Sequence, residues 1–275
     1  MTTDTGIDWT EAFANASYIP GGMEFPARWE QQAAAFRKSA SRAQIDIAYG
    51  NHPRERLDLF LPEGKPNGLA VIVHGGYWLN FDKSYWSHLA NGALKRGWAV
   101  ALPSYVLAPE AAIADITQQI AQAIAEAAAR CDGPVCLAGH SAGGHLVTRM
   151  VCENTPLPPQ VADRIARVVS ISGLHDLRPL QFAQLNEKLC LNTDSAAAES
   201  PVLHTPVPGT DLVCWVGNDE RPEFLRQSAL LAETWRRAGA TTRLHSEPGR
   251  HHFNVIEDLC DPESALVEAF VGTRS

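Results

Sequence analysis

From residue 69 onward, apolar β-branched runs of strand length alternate with stretches of helical period, and this alternation leaves few architectures open. The strand-like runs are Leu69–His74, Trp98–Pro103, Pro134–Gly139, Arg167–Ser172, Leu212–Gly217 and Thr241–His245. Helical patterns fall at Lys83–Arg96, Pro109–Arg130, Gly143–Cys152, Arg221–Ala238 and Pro262–Gly272. In the second of these, Ile113, Ile116, Ile120 and Ile124 form one apolar stripe. Strands separated by helices are joined by crossovers rather than hairpins, which makes them parallel and puts helices on both faces of the sheet. Two earlier runs, Gln44–Tyr49 and Arg56–Leu61, flank Asn51-His52-Pro53 and read as an antiparallel hairpin. The expectation is an α/β fold on a mostly parallel eight-stranded sheet. In such sheets, sites form at the carboxyl ends of the strands, which gives a positional test for every candidate residue.

Two segments stand outside the alternation. Residues 1–43 carry Trp9, Phe13, Tyr18, Phe25, Trp29 and Phe36 ahead of the first strand, and residues 174–210 form a long excursion between two strands. Packing on the sheet edge and walling a pocket account for them equally well. The chain is read as an N-terminal segment, 1–43, on or near the active site, followed by one domain, 44–275.

The strand Pro134–Gly139 runs straight into Gly139-His140-Ser141-Ala142-Gly143 and then a helical pattern. That is the G-x-S-x-G elbow, in which a strained strand-to-helix turn lifts a serine hydroxyl above the sheet. A serine needs a base to become a nucleophile, and in this architecture an acid and then a histidine follow it in the chain. Asp219 lies just past Leu212–Gly217, and the pair His251-His252 just past Thr241–His245, in the required order. Either histidine satisfies the spacing. Asp176 also follows a strand but reads better as a helix cap, and Glu220 reads as a solvated loop charge. His140 and His145 flank the serine and read as packing or hydrogen-bonding groups. After Leu69–His74 comes Gly75-Gly76-Tyr77-Trp78, where glycines let backbone N–H groups face a developing oxyanion together with the N–H of Ala142.

Five stretches together resemble the kynurenine formamidase (arylformamidase) group of α/β-hydrolase-fold serine hydrolases. They are "HGGYW" at His74–Trp78, "GHSAG" at Gly139–Gly143, "SGLHDL" at Ser172–Leu177, "NDERPEFLRQS" at Asn218–Ser228 and "HHFNVIEDL" at His251–Leu259. The resemblance implies the α/β-hydrolase fold, Ser141 as nucleophile and Asp219 as triad acid. It also points to His252 rather than His251 as base, and to oxyanion N–H groups from Gly76 and Tyr77. The implied reaction is cleavage of an N-formyl arylamine such as N-formylkynurenine, with Tyr77 and Trp78 stacking on the aromatic leaving group. A carboxylesterase acting on short acyl esters is the alternative with the same machinery. A non-catalytic binding protein is disfavoured, since all three triad candidates are present.

Composition removes other classes. The net charge is −8 with no cluster of Lys or Arg, so the electrostatic footprint of a nucleic-acid binder is missing. No apolar run nears the roughly 20 residues of a membrane span, and the N-terminus does not read as a signal peptide, so a cytoplasmic protein is expected. Six cysteines without a C-x-x-C pair read as reduced thiols, and ten histidines without ligand spacing argue against a metal. No cofactor is expected, and a homodimer is left open.

Overall fold

The structure, a computed structural model, describes residues 6–273. Residues 1–5, on which the signal-peptide reading partly falls, lie outside the described residues. Eight strands form one sheet: β1 (Ala43–Ala48), β2 (Arg56–Phe60), β3 (Leu69–Val73), β4 (Ala99–Pro103), β5 (Val135–His140), β6 (Ile165–Ile171), β7 (Asp211–Gly217) and β8 (Thr241–Glu247). Their order across the sheet is β1-β2-β4-β3-β5-β6-β7-β8. The β1–β2 and β2–β4 pairs are antiparallel and the remaining pairs parallel. Every strand read from the sequence is present.

The helices are α1 (Trp9–Ala12), α2 (Phe25–Ser39), α3 (Asn91–Lys95), α4 (Ile113–Ala128), α5 (Ala142–Arg149), α6 (Pro159–Ala162), α7 (Asn186–Leu189), α8 (Thr193–Ala198), α9 (Pro222–Arg237) and α10 (Ala265–Val271). Two apolar clusters cover the two faces of the sheet. The isoleucine stripe of α4 packs with Leu146 of α5 and Leu231 of α9 on one, and Trp29 of α2, Ala93 of α3 and Phe270 of α10 pack on the other. The central strands β3, β4 and β5 are buried along their whole length, as strands covered on both sides must be. The helix expected over 83–96 is instead two 3₁₀ turns, Lys83–Tyr85 and Ser87–Ala90, followed by the short α3. Trp86, with φ −121° and ψ 0°, sits between the turns and breaks helical continuation.

The strand order fixes where a site can form. From β3 the chain steps to β4 on one side, then crosses back over β3 to β5 on the other. The loops after β3 and β5 therefore leave neighbouring strands in opposite directions and open a crevice at their carboxyl ends. The loop after β3 begins at His74 and the loop after β5 at Ser141.

Candidate active site

Ser141 joins β5 to α5 with φ +56° and ψ −117°, a backbone region that a residue with a Cβ occupies only under strain. Three features hold it there. Its N–H donates to the carbonyl of Ile171 at the end of β6 (2.8 Å), and its carbonyl accepts from His145 N–H in the first turn of α5 (3.2 Å). The flanking glycines allow the turn to close: a Cβ on Gly139 would stand 2.1 Å from the Gly143 carbonyl oxygen, and one on Gly143 would stand 2.1 Å from that of Val73. The elbow thus presses against both its own helix and the end of β3. No side chain fits at either position.

His252 follows β8 and is buried, and its Nδ1–H donates to a carboxylate oxygen at 2.6 Å. That carboxylate is Glu220's, not Asp219's. The chain turns back after β7, with the N–H of Glu220 donating to the Gly217 carbonyl (3.3 Å), so the Glu220 side chain returns beneath the loop while Asp219 is left exposed. Oε1 of Glu220 accepts from Ser172 Oγ (2.5 Å) and Gly217 N–H (2.9 Å). Asp219 offers only its main chain, donating N–H to the Arg250 carbonyl (2.9 Å). The expectation for Asp219 as acid, and for Glu220 as a solvated loop charge, is therefore corrected.

Of the two adjacent histidines, His252 lines the cavity with Ser141. His251 Nδ1 accepts from the N–H groups of Phe253 (3.2 Å) and Asn254 (3.3 Å), and its ring meets Phe25 edge-on. Burial holds its imidazole below the ordinary histidine range. Asp176 is engaged by Arg178 through both carboxylate oxygens (2.8 and 2.9 Å), away from any histidine base. His145 donates Nε2–H to the Glu199 carbonyl (2.7 Å), which ties α5 to the 174–210 excursion.

In the loop after β3, Gly76, Tyr77 and Trp78 all have positive φ (+108°, +54° and +58°). This reversal sends consecutive side chains to opposite destinations. Trp78 is fully buried and packs edge-on against His145 at 5.2 Å, so the expected stacking of Trp78 on a substrate is not met. Tyr77 does line the cavity, where its hydroxyl donates to the Phe13 carbonyl and accepts from Asn15 Nδ2 (3.3 Å). Gly75 is the close-approach position, since a Cβ there would lie 3.0 Å from the Ser141 Cβ. Among the described residues, the N–H groups of Gly76, Tyr77 and Ala142 find no backbone acceptor.

The cavity measures about 820 Å³. Ser141, His140 and His252 form one side. Phe13, Asn15, Met23 and Trp29 from the N-terminal segment, Gln184, Leu185 and Lys188 from the excursion, and Phe81, Trp86 and Phe253 complete the wall. Most of this wall is aromatic or aliphatic, suited to a ring-bearing ligand. Among the described residues no group of side chains is arranged to hold a metal ion, no helix is long and apolar enough to cross a membrane, and the cysteines are free thiols.

A nucleophile elbow, a buried carboxylate–histidine pair and a glycine loop at one switch point define an α/β-hydrolase, a hydrolase of the esterase and amidase kind. The BD-FAE family profile matches residues 57–206, more than half of the chain, and the protein belongs to that family. Kynurenine formamidase of Danio rerio is 26% identical over 240 residues, covering 84% of this chain and 82% of its own. That of Drosophila melanogaster is 26% identical over 235 residues, covering 79% and 77%. A crystal structure from Silicibacter sp., provisionally described as a thioesterase, is 52% identical with a TM-score of 0.91 over 96% of this chain and 99% of that one. Esterase B of Lactobacillus rhamnosis shares the fold at 19% identity and a TM-score of 0.65, over 90% and 91%.

Proposed function

We propose that the protein hydrolyses N-formyl arylamines of the N-formylkynurenine kind through an acyl-enzyme on Ser141, with His252 as base and Glu220 as the triad acid. The observation that carries this reading is the 2.6 Å contact of His252 Nδ1 with Glu220, beside a strained serine in the same aromatic-walled cavity. The kynurenine formamidases similar over four-fifths of the chain support the formamide as substrate.

With Nδ1–H committed to Glu220, Nε2 of His252 is the lone-pair nitrogen, the tautomer a general base requires. His252 takes the Ser141 hydroxyl proton as Oγ bonds to the formyl carbon, and the carbonyl electron pair moves onto oxygen. The N–H groups of Gly76, Tyr77 and Ala142 receive this oxyanion, and one such donor contributes on the order of 3 kcal/mol to the transition state. Glu220 stabilises the imidazolium meanwhile. As the C–N bond breaks, His252 gives its proton to the departing arylamine, leaving formyl-Ser141. Water then adds to the formyl carbon, His252 takes its proton, and formate leaves as Ser141 regains its hydrogen.

A second reading, hydrolysis of esters or thioesters by the same residues, is favoured by similarity to the Silicibacter protein. Purified protein offered N-formylkynurenine, p-nitrophenyl acetate and an acetyl thioester separates the two. Formate release from the formamide, lost in Ser141→Ala, is the expected result. Rapid ester or thioester cleavage without formamide cleavage overturns the substrate claim and leaves the triad standing.

A further inference from the structure

The mechanism above leaves one buried ring beside the reacting groups without a task. His140 ends β5, immediately before Ser141, and its ring centroid lies 4.7 Å from that of His252. Nε2 of His140 is 2.8 Å from the main-chain carbonyl oxygen of His252. A carbonyl only accepts, so Nε2 carries the hydrogen and Nδ1 keeps the lone pair, for which the described residues supply no donor. Burial, reinforced by the neighbouring His252, holds the ring well below the ordinary histidine range, in keeping with a neutral ring that donates from Nε2.

This bond joins segments 112 residues apart: the end of the nucleophile's strand and the loop that carries the base. The loop is also tied to the turn after β7 by Asp219 N–H on the Arg250 carbonyl, and is closed on itself by His251 N–H on Asn254 Oδ1 (2.8 Å). Glu220 holds the Nδ1 edge of the His252 ring, and the His140 bond holds the main chain from which that ring hangs, so the two together set where Nε2 lies.

We propose that His140 is a positioning residue, whose Nε2–H bond to the His252 carbonyl sets the separation of base and nucleophile. This rests on Ser141 and His252 being nucleophile and base, and not on the identity of the substrate. A displacement of about 1 Å in such a pair costs roughly 100-fold in rate.

The test compares His140→Phe, which keeps the ring and loses the donor, with His140→Gln and His140→Asn. A glutamine amide reaches as far as the imidazole Nε2, whereas an asparagine amide ends near the Nδ1 position. The readout is the second-order rate of Ser141 labelling by a fluorophosphonate, with melting temperature recorded for each variant. His140→Phe should label roughly 100-fold more slowly. His140→Gln should restore most of the rate and His140→Asn should not. With a hydrolysed substrate the loss should fall mainly on kcat, with a smaller change in KM because His140 also lines the cavity. Labelling of His140→Phe at the wild-type rate, or Gln no faster than Asn, overturns the proposal. If the Phe variant does not fold, the Gln–Asn pair decides alone. Wild-type protein that labels readily but cleaves no formamide refutes only the substrate reading.

Discussion

Ser172 and Gly217 each donate a hydrogen bond to Oε1 of Glu220 while His252 donates to Oε2, so this carboxylate meets donors on both oxygens. An amide in its place is wrong in either orientation. With its NH₂ toward Gly217 N–H, two donors collide; with its NH₂ toward His252, Nδ1 must become an acceptor and the proton moves to Nε2, the nitrogen proposed as the base. Glu220→Gln should therefore lower kcat by about 10⁴-fold, the scale of a wrong tautomer in a serine triad. Asp219→Asn, on an exposed side chain, should leave kcat unchanged; steady-state kinetics of the two variants check this, and the opposite ranking would restore Asp219. That an acid follows β7 was legible, because strand ends can be read from apolar runs. Which of two adjacent carboxylates turns inward depends on the turn at 217–220, and no periodicity encodes it. Trp78 escaped for a related reason: positive φ at non-glycine residues leaves no mark in composition.

At the scale of elements, the N-terminal segment is fastened at the site by its own contacts. Tyr77 bonds to Phe13 and Asn15, and Arg221, the residue after Glu220, reaches the Glu11 carboxylate (3.0 Å) while its guanidinium lies 3.7 Å over the Tyr18 ring. Tyr77→Phe keeps the ring and the backbone N–H but removes the bonds to Phe13 and Asn15. The wall contributed from residues 10–17 should loosen, raising KM several-fold with little change in kcat and speeding amide exchange in that segment. Unchanged exchange would show that packing alone retains the wall. No helix is read from the sequence in this segment, although the signal for α2 is there: Phe25, Trp29, Ala33 and Phe36 recur at helical spacing, and Pro26 sits in the first turn. What the spacing does not give is the partner, since those rings pack on Trp86, Phe253 and Phe60, brought near only by the sheet order.

Across the whole molecule, several histidines are buried and held neutral. Burial lowers His74 to about 4 and His175 to about 3, and takes His140 and His145 well below the ordinary value. In the unfolded chain these groups bind protons near pH 6.5, and in the folded protein they do not. Their contribution to stability is thus complete above about pH 6.5 and lost as pH falls toward the folded values, because unfolding then takes up protons. Each adds a slope of up to about 1.4 kcal/mol per pH unit within that window. Denaturant midpoints should accordingly drop steeply between pH 6.5 and 4.5. His175→Gln, which keeps an amide near Ser170, should flatten the slope by about one proton. A profile level down to pH 4.5 would contradict the burial of these rings.

Arg28 and Glu257, paired at 2.6 Å, lie 229 positions apart, and Phe25 touches both His251 and Phe253. Segments from near the two ends of the described chain therefore meet beside the chamber around Ser141, where Trp29 and Phe253 both line it. A ribosome-bound polypeptide halted before β8 would possess the elbow yet lack both His252 and one flank of the enclosure. On the proposed reading, Ser141 therefore gains its base only after β8 has been made.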